Sequence, residues 1–185
     1  GPDNNEARQL GIHKRNDILR GFSRDGFHWD RSCRERFIPS SWKNGTWNFG
    51  NIQSACGSPL VVGDKLYFYV SGRAKDPSGR QCCGSTGLAT LRRDGFASMD
   101  AGTDECQLTT RPVTFNGKHL FVNVDCPEGA LHVEVLDGDG NVIKPFTKAN
   151  CRPVSIDRAL APVTWNGGAD LARLVGKPVK FRFYL

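Results

Sequence analysis

The sequence lacks several features that would place it in common functional classes. It has no long apolar run, so we expect no membrane-spanning helix and no membrane partner. Its 25 basic residues give a net charge of +6, yet they form no run of five or more. Because zinc-knuckle spacings and RNA-binding aromatic motifs are missing as well, nucleic acid is not an expected partner either.

Motifs for metal or cofactor chemistry are also missing. No two cysteines form a Cys-x-x-Cys pair, and the four histidines stand in no ligand spacing near them, which argues against zinc. The run from Asp137 to Asn141 looks at first like a calcium loop, but Lys148 stands where that loop needs a glutamate. We therefore predict a plain hairpin there, without a metal site or a cofactor.

The cysteines are numerous, and their number points to disulfide bonds. Without a zinc spacing, seven cysteines are typical of a chain that folds in an oxidising compartment, so we expect a secreted, extracellular protein. An odd count leaves one thiol free or bonded to a partner molecule, and the adjacent Cys82 and Cys83 are too close to bridge comfortably. The disulfide candidates are Cys33, Cys56, Cys82, Cys83, Cys106, Cys126 and Cys151.

An N-glycosylation sequon supports the same compartment. The sequence Asn44-Gly45-Thr46 lies in a polar segment rich in turn-forming residues, where an acceptor for a glycan is expected. A single sequon is a common coincidence, but beside seven cysteines it favours a glycoprotein that carries its glycan at Asn44.

The sequence is rich in turn-forming residues that separate short strand-like runs, which predicts an all-β fold. The dipeptide Asp25-Gly26 predicts a hairpin with a type I′ turn, in which both residues have positive φ. We expect the side chains of Ser23 and Asp25 to bond to nearby backbone N–H groups, and Trp29 to bury its ring over the turn. The same Arg-Asp-Gly-Phe motif recurs at residues 93–96, which suggests a repeated turn.

A change of texture near residue 101 predicts two regions, 3–101 and 102–185. Within the first, residues 50–97 predict a meander of about four antiparallel strands, the size of one propeller blade, with a polar loop from Gly72 to Ser85. The second region has six short strand-like runs at fairly even spacing, which favours a β-sandwich. The fold class is therefore a propeller-blade-like antiparallel sheet followed by a β-sandwich.

Strict alternation is clearest in the segment from Leu131 to Leu136. Because successive side chains of a strand point to opposite faces, we expect Leu131, Val133 and Val135 to face the core. His132 and Glu134 should then face the solvent.

Four motifs follow one another in the first region, and together they carry a resemblance. They are Ser-Arg-Asp-Gly-x-x-Trp at 23–29, Gly-x-Pro-Leu-Val-Val-Gly-Asp at 57–64, Leu-Tyr-Phe-Tyr at 66–69 and Gly-Leu-Ala-Thr-Leu-Arg-Arg-Asp-Gly-Phe at 87–96. This order resembles the last blade of five-bladed β-propellers similar to glycoside hydrolase families 32 and 43. Residues 108–112, 131–137 and 176–179 look like the β-sandwich that follows this propeller in many such proteins, so the resemblance covers residues 17–185.

The resemblance does not by itself imply catalysis. Enzymes of this kind take their catalytic carboxylates from earlier blades, and one and a half blades cannot close a five-bladed ring, so the chain is expected to be a fragment or a shortened relative. Among its own carboxylates, Asp25, Asp64 and Asp94 flank glycines and are expected to serve turns. Asp30 and Asp125 are not constrained by the sequence. We therefore assign no catalytic residue.

The segment from Trp42 to Gln53 is the best candidate for ligand binding. Flat aromatic faces beside amide side chains suit a sugar, which offers C–H bonds on one face and hydroxyls around its rim. The alternative is that the tryptophans pack within the protein, between blades or under the glycan. The candidate carbohydrate-binding residues are Trp42, Trp47, Asn48, Asn51 and Gln53, and Phe49 lies among them.

These observations lead to one functional hypothesis and two alternatives. The leading one is a secreted carbohydrate-binding or accessory module without catalytic carboxylates of its own, with a glycan or glycoprotein as its partner. The first alternative is a fragment of an intact glycoside hydrolase. The second is an extracellular structural or partner-binding protein, linked to its partner by a disulfide through the odd cysteine.

Overall fold

The computed structural model describes residues 9, 15–55, 57–168 and 170–185, and in these residues the protein is all-β, as predicted. The chain divides into two compact units, Gly1–Leu91 and Arg92–Leu185, a division that falls ten residues before the change of sequence texture. No helix within the described residues is long and apolar enough to cross a bilayer.

The first unit is built around one long hairpin. Strands β5 and β6 pair antiparallel with successive parts of β7, and β8 pairs with β7 as well, which gives a four-stranded sheet. Two smaller antiparallel pairs, β1–β4 and β2–β3, lie outside it. The strands are β1 (Ile18–Leu19), β2 (Phe22–Ser23), β3 (Trp29–Asp30), β4 (Arg36–Ile38), β5 (Ile52–Ala55), β6 (Leu60–Val62), β7 (Lys65–Lys75) and β8 (Gln81–Arg92).

Strand β7 alternates strictly between a buried and a more exposed face. Leu66, Phe68 and Val70 are buried and give the strand the apolar face that a half-buried sheet requires. Phe68 meets Phe37 edge to face, with ring centroids 5.7 Å apart. The buried face of the sheet, together with Ile52 of β5, makes the small core of this unit.

The prediction of a polar loop between Gly72 and Ser85 is wrong. Strand β7 continues to Lys75 and β8 begins at Gln81, so the connection spans only residues 76–80. In this turn the Asp76 carboxylate accepts bonds from the Ser78 hydroxyl and the Arg80 N–H. Most of the predicted loop is therefore strand, and at Gly72 the side chain of Trp47 occupies the space that the glycine leaves.

The hairpin at Asp25-Gly26 forms, but with a different turn. Phe22 pairs with Asp30 and Ser23 with Trp29, and only Gly26 has positive φ, so the type I′ prediction is wrong. The side-chain caps are present: the Gly26 N–H donates to the Ser23 hydroxyl, and the N–H groups of residues 27 and 28 donate to Asp25. Trp29 bonds through Nε1 to the Gly26 carbonyl, yet it is 60% exposed rather than buried.

The second Arg-Asp-Gly-Phe motif adopts another conformation. Here Asp94 has positive φ and Gly95 does not, and the Gly95 N–H closes the turn on the Arg92 carbonyl at 2.9 Å. The four shared residues therefore do not mark a repeated structural unit.

The second unit contains two antiparallel sheets around one core, as the β-sandwich prediction requires. Strands β10 and β12 form one sheet, and β11, β13 and β9 form the other. Both contribute to a single cluster, in which Phe146 is fully buried and meets Trp165 edge to face at 5.1 Å. The strands are β9 (Gln107–Thr109), β10 (Leu120–Asp125), β11 (His132–Leu136), β12 (Asp157–Val163) and β13 (Lys180–Tyr184), with short 3₁₀ turns at Lys148–Asn150 and Ala172–Leu174.

For the segment from Leu131 to Leu136, the predicted core residues are confirmed, but the prediction that Glu134 faces the solvent is wrong. Leu131, Val133 and Val135 are buried in the core, as expected, but Glu134 is only 6% exposed. Its carboxylate accepts bonds from the Tyr184 hydroxyl at 2.6 Å and from Arg182 at 3.0 Å, both on the neighbouring strand β13. A buried carboxylate needs such partners, and the sequence of β11 alone does not reveal them.

The turn at Asp137 to Asn141 is a plain hairpin turn, as predicted. The Asp137 carboxylate accepts bonds from the N–H groups of Asp139 and Asn141, and residues 136 and 142 pair across the turn. These bonds hold the pKa of Asp137 below its ordinary value. Within the described residues, no group of three or more histidine, cysteine or acidic side chains is arranged to hold a metal ion.

Candidate functional site

The segment that holds the candidate aromatic residues is a closed loop. We call residues 41–50 the aromatic loop. Its ends are joined by two backbone bonds, from Ser41 N–H to the Asn48 carbonyl at 3.1 Å and from Gly50 N–H to the Ser41 carbonyl at 2.7 Å. Gly50 is buried with φ of +63°, a conformation that favours glycine. The loop thus has a fixed base.

The aromatic loop lies against the hairpin of β7 and β8. The Gly45 N–H donates to the Asp76 carbonyl at 3.1 Å, and the Lys75 N–H donates to the Thr46 carbonyl at 3.2 Å. Farther along β8, the Ser85 hydroxyl donates to the Trp47 carbonyl at 2.5 Å. These bonds fix the position of Trp47 relative to the sheet.

The indole of Trp47 rests on two glycines of the sheet. A Cβ atom added to Gly72 would lie 2.8 Å from Cε3 of Trp47, and one added to Gly87 would lie 2.2 Å from Cη2, 2.5 Å from Cζ3 and 2.6 Å from Cζ2. A point beyond the ring edge would be much closer to Cη2 than to its two neighbours. The nearly equal distances therefore place Gly87 against the face of the ring.

Trp47 is nevertheless 38% exposed. One face of its six-membered ring is covered by the backbone at Gly87, so that face does not contribute to the exposed surface of the residue. A rigid ring backed by a sheet keeps its orientation without help from a ligand, which lowers the entropy lost when a flat partner stacks on it. The arrangement offers a preformed aromatic surface.

Trp42 has a different environment from Trp47. It is 43% exposed, and it meets Phe49 edge to face with centroids 5.4 Å apart. The guanidinium carbon of Arg15 lies 5.6 Å from the Trp42 ring centroid, and Nζ of Lys75 lies 3.8 Å from that of Phe49. These cations are within the range of cation–π attraction, so the aromatic loop carries positive charge beside its rings.

The three predicted amide side chains do not gather around Trp47. The Nδ2 group of Asn48 donates to the carbonyl of Pro39, just before the loop, at 3.2 Å. Gln53 pairs with Ser71, whereas Ile52 pairs with Gly72, the glycine beneath Trp47. Since paired residues of a sheet share a face and successive residues alternate, Gln53 lies on the face opposite to Trp47, and so does Asn51, the other neighbour of Ile52.

Four residues of this site were missed by the sequence prediction: Gly72, Gly87, Ser85 and Lys75. The two glycines carried a usable signal, because a glycine inside an otherwise strand-like run often marks the close approach of another group. Ser85 and Lys75 carried none, since their roles depend on how the loop folds back onto the hairpin.

Asn44, the predicted glycan acceptor, is exposed on a turn of the aromatic loop. Its Nδ2 atom lies 3.0 Å from the position that a Cβ atom on Gly79 would occupy, and Gly79 has φ of +88°. A glycan on Asn44 would therefore leave the protein beside the turn between β7 and β8. Glycosylation at this residue stays a prediction.

The carboxylates considered for catalysis have structural roles where the structure shows their bonds. The pKa of Asp25 lies well below its ordinary range, chiefly because of its bond to the His28 ring at 2.5 Å, and also because of the bonds from two backbone N–H groups. Bonds from Ser32 likewise lower the pKa of Asp30. Both side chains stabilise turns, as the sequence predicted for Asp25.

The disulfides expected from the cysteine count are not formed among the six described cysteines. Four of these thiols are exposed and two are buried in the second unit, and no two of them are bonded to each other; Cys56 lies outside the described residues. Burial raises the pKa of Cys151, whose sulfur accepts a bond from the Val133 N–H. Cys126 donates to the Val154 carbonyl at 3.2 Å. These two thiols therefore act as core residues.

Comparison with models of known families, with curated proteins and with solved structures finds no match to this chain. The resemblance to propellers similar to glycoside hydrolase families 32 and 43 thus stays a prediction, and the site must be interpreted from its own geometry.

Proposed function

We propose that this chain is a secreted, non-catalytic carbohydrate-binding module, and that Trp47 provides the stacking surface for a sugar ring. The observation that carries the proposal is Trp47, a residue that is 38% exposed and whose indole rests on Gly87 by one face. The sequon at Asn44 supports secretion from the sequence alone.

The chemistry of a sugar fits this surface. A pyranose has one face of C–H groups that packs on an aromatic ring, and such ring contacts contribute about 0.5–1.5 kcal/mol beyond area burial. The Ser85 hydroxyl lies beside Trp47, and the Lys75 ammonium lies 3.8 Å from the centroid of Phe49 in the same loop. These groups provide polar partners near the aromatic surface. We expect weak binding, since a single stacking surface buries little area.

The experiment follows the four indole Nε1–H signals by NMR while neutral oligosaccharides are added. We expect the Trp47 signal to shift most, a smaller shift for Trp42, and none for Trp29 or Trp165. Trp29 is the matched reference because it is exposed and belongs to the same unit but not to the aromatic loop. Equal shifts at Trp29 and Trp47, or none with any glycan, would rule out the proposal.

A variant series locates the interaction. Trp47→Ala should weaken binding about tenfold, equivalent to about 1.4 kcal/mol, whereas Trp47→Phe should keep part of it because a ring remains. Trp29→Ala should bind as the original protein does. Because Trp47 also covers two glycines, the thermal unfolding of each variant is measured alongside its affinity.

A partner-binding role is the second candidate, and one observation favours it. Leu60 and Val62 of β6 and Tyr69 of β7 lie on the same face of the sheet, and each is about half exposed. Exposed apolar residues clustered on one sheet are typical of protein interfaces. Sedimentation of the purified protein under reducing and non-reducing conditions separates this role from the first, since a thiol-sensitive dimer would favour it.

A further inference from the structure

A second concave site lies in the first unit, outside the aromatic loop. It is lined by Leu19, Arg20, Arg31, Cys33 and Arg34, and it encloses about 280 Å³. Leu19 ends β1, and the segment 31–34 leads into β4, which pairs with β1 in antiparallel fashion. That pairing brings the arginines, separated in sequence, to one cavity.

Three guanidinium groups line this cavity, and they differ in their ionic partners. Arg20 has the carboxylate of Glu35 3.9 Å from its Nη2, on a side chain that is 89% exposed. Within the described part of the chain, Arg31 and Arg34 form no ion pair and no side-chain hydrogen bond. The carboxylate of Asp30, next in sequence, is bonded to the Ser32 N–H at 2.8 Å.

The guanidinium groups of Arg31 and Arg34 are like charges at one cavity and repel each other, and an anion between them would be attracted to both. Guanidinium groups suit oxyanions in particular, because their N–H donors match the oxygens of a carboxylate, sulfate or phosphate. Cavities that hold whole drug-sized ligands measure roughly 300–1,000 Å³, so this cavity, close to the lower end of that range, has room for the charged group of a larger ligand.

We propose that this arginine pocket binds the charged group of an acidic glycan, a sulfate ester or a uronate carboxylate. The glycan part of this inference rests on the proposed function, whereas the binding of an oxyanion does not. The positive charge of the first unit agrees with it: 13 basic and 8 acidic residues give that unit +5 of the total +6. An acidic glycan would be drawn to this unit over long range.

Cys33 makes the pocket testable with the simplest probe, inorganic sulfate. Its thiol is exposed in the cavity wall, and Cys82, Cys83 and Cys106 are exposed elsewhere. We expect sulfate to slow the alkylation of Cys33 by iodoacetamide several-fold, as followed by mass spectrometry on the reduced protein, and to leave the other three rates unchanged. If sulfate slowed the alkylation of all four thiols equally, the proposal of a sulfate-binding pocket at Cys33 would be wrong.

Arginine variants provide the matched control. Arg31→Gln and Arg34→Gln should each weaken sulfate protection of Cys33 about tenfold, since a hydrogen bond to a charged group is lost in each. Arg24→Gln removes an exposed arginine of the same unit outside the pocket and should leave protection unchanged. If Arg24→Gln weakened sulfate protection of Cys33 as much as Arg31→Gln does, the protection would come from the net positive charge of the unit and not from the pocket.

A heparin hexasaccharide and its chemically desulfated form connect the pocket to the glycan. We expect calorimetry to show at least tenfold tighter binding of the sulfated form, with the difference lost in Arg31→Gln and kept in Trp47→Ala. If sulfate protects Cys33 but neither glycan binds, the glycan part of the inference fails together with the proposed function. If both glycans bind equally through Trp47 and Cys33 is not protected, the pocket fails and the proposed function stands.

Discussion

The two units have nearly the same length but distribute their apolar residues in opposite ways. Among the described residues, the second unit buries 17 apolar side chains and the first only five. The first unit instead exposes six large aromatic side chains, against one in the second. The second unit is thus stabilised by a dense core, whereas the first depends on loops held by backbone and side-chain hydrogen bonds.

This difference suggests where function resides. A surface that keeps tryptophans and arginines exposed gives up apolar burial, which is the main source of folding free energy. In the first unit, such exposed side chains lie at the aromatic loop and at the arginine pocket. The second unit carries one net positive charge and few exposed rings, as expected of a domain whose sequence serves mainly its own folding.

The largest expected effect comes from opening the core of the second unit. Phe146→Ala removes a fully buried ring that packs on Trp165, and we expect it to lower the free energy of unfolding by about 3–5 kcal/mol. Urea unfolding followed by Trp165 fluorescence measures the loss. Phe121→Ala removes an exposed ring from the same unit and should change stability by less than about 0.5 kcal/mol. Similar losses for both would contradict the dense core.

A smaller effect is expected from adding a methyl group under Trp47. Gly87→Ala places its Cβ 2.2 Å from the ring, so we expect a loss of about 1–3 kcal/mol together with a changed Trp47 indole signal. Gly84→Ala is the control on the same strand, because a Cβ there meets nothing within 4 Å. Gly84→Ala should leave the indole signal unchanged and stability within about 1 kcal/mol. A displaced indole in both variants would contradict the contact.

The smallest expected effect is a loss of stability of the first unit at low pH, caused by protonation of Asp17. Burial acts to raise the pKa of Asp17, but bonds from Ser40 and Arg15 outweigh it and hold this pKa below its ordinary value. A carboxyl with a lowered pKa stabilises the fold above its unfolded pKa of about 3.9, and that contribution is lost as the pH falls through the folded pKa. The first unit should therefore lose stability between about pH 5 and pH 3.

Urea unfolding of the original protein and of Asp17→Asn over this pH range measures the effect. The variant should be less stable at pH 7 and should lose less on acidification, by no more than about 1 kcal/mol. An identical pH profile for Asp17→Asn and the original protein would show that Asp17 does not contribute.

The sequence predicted the elements that depend on local patterns. Alternation identified β11, the strand-like run within residues 50–97 identified β7, and the caps at Ser23 and Asp25 were recognised because their partners lie within three residues. The failures involve partners far apart in sequence. Glu134 is buried because Arg182 and Tyr184 lie beside it, 48 and 50 residues away.

The candidate site also has features that the sequence predicted and features that depend on partners far apart in sequence. Trp47 was identified from its residue type, but its support by Gly72 and Gly87 could not be predicted without the fold. The separation of Asn51 and Gln53 from Trp47 depends on the register between β5 and β7, which follows from pairing rather than from composition. The arginine pocket gave no signal at all, because β1 and β4 must pair before its arginines meet.

The location of the thiols has a consequence for the redox chemistry of the chain. Cys126 and Cys151 are sealed in the core of the second unit, so an oxidant can reach them only when that unit opens. Their rate of modification therefore reports how often the unit opens, in the manner of amide hydrogen exchange. Cys33, Cys82, Cys83 and Cys106 are open to the solvent and are the described cysteines at which oxidation, or a bond to a partner, would begin.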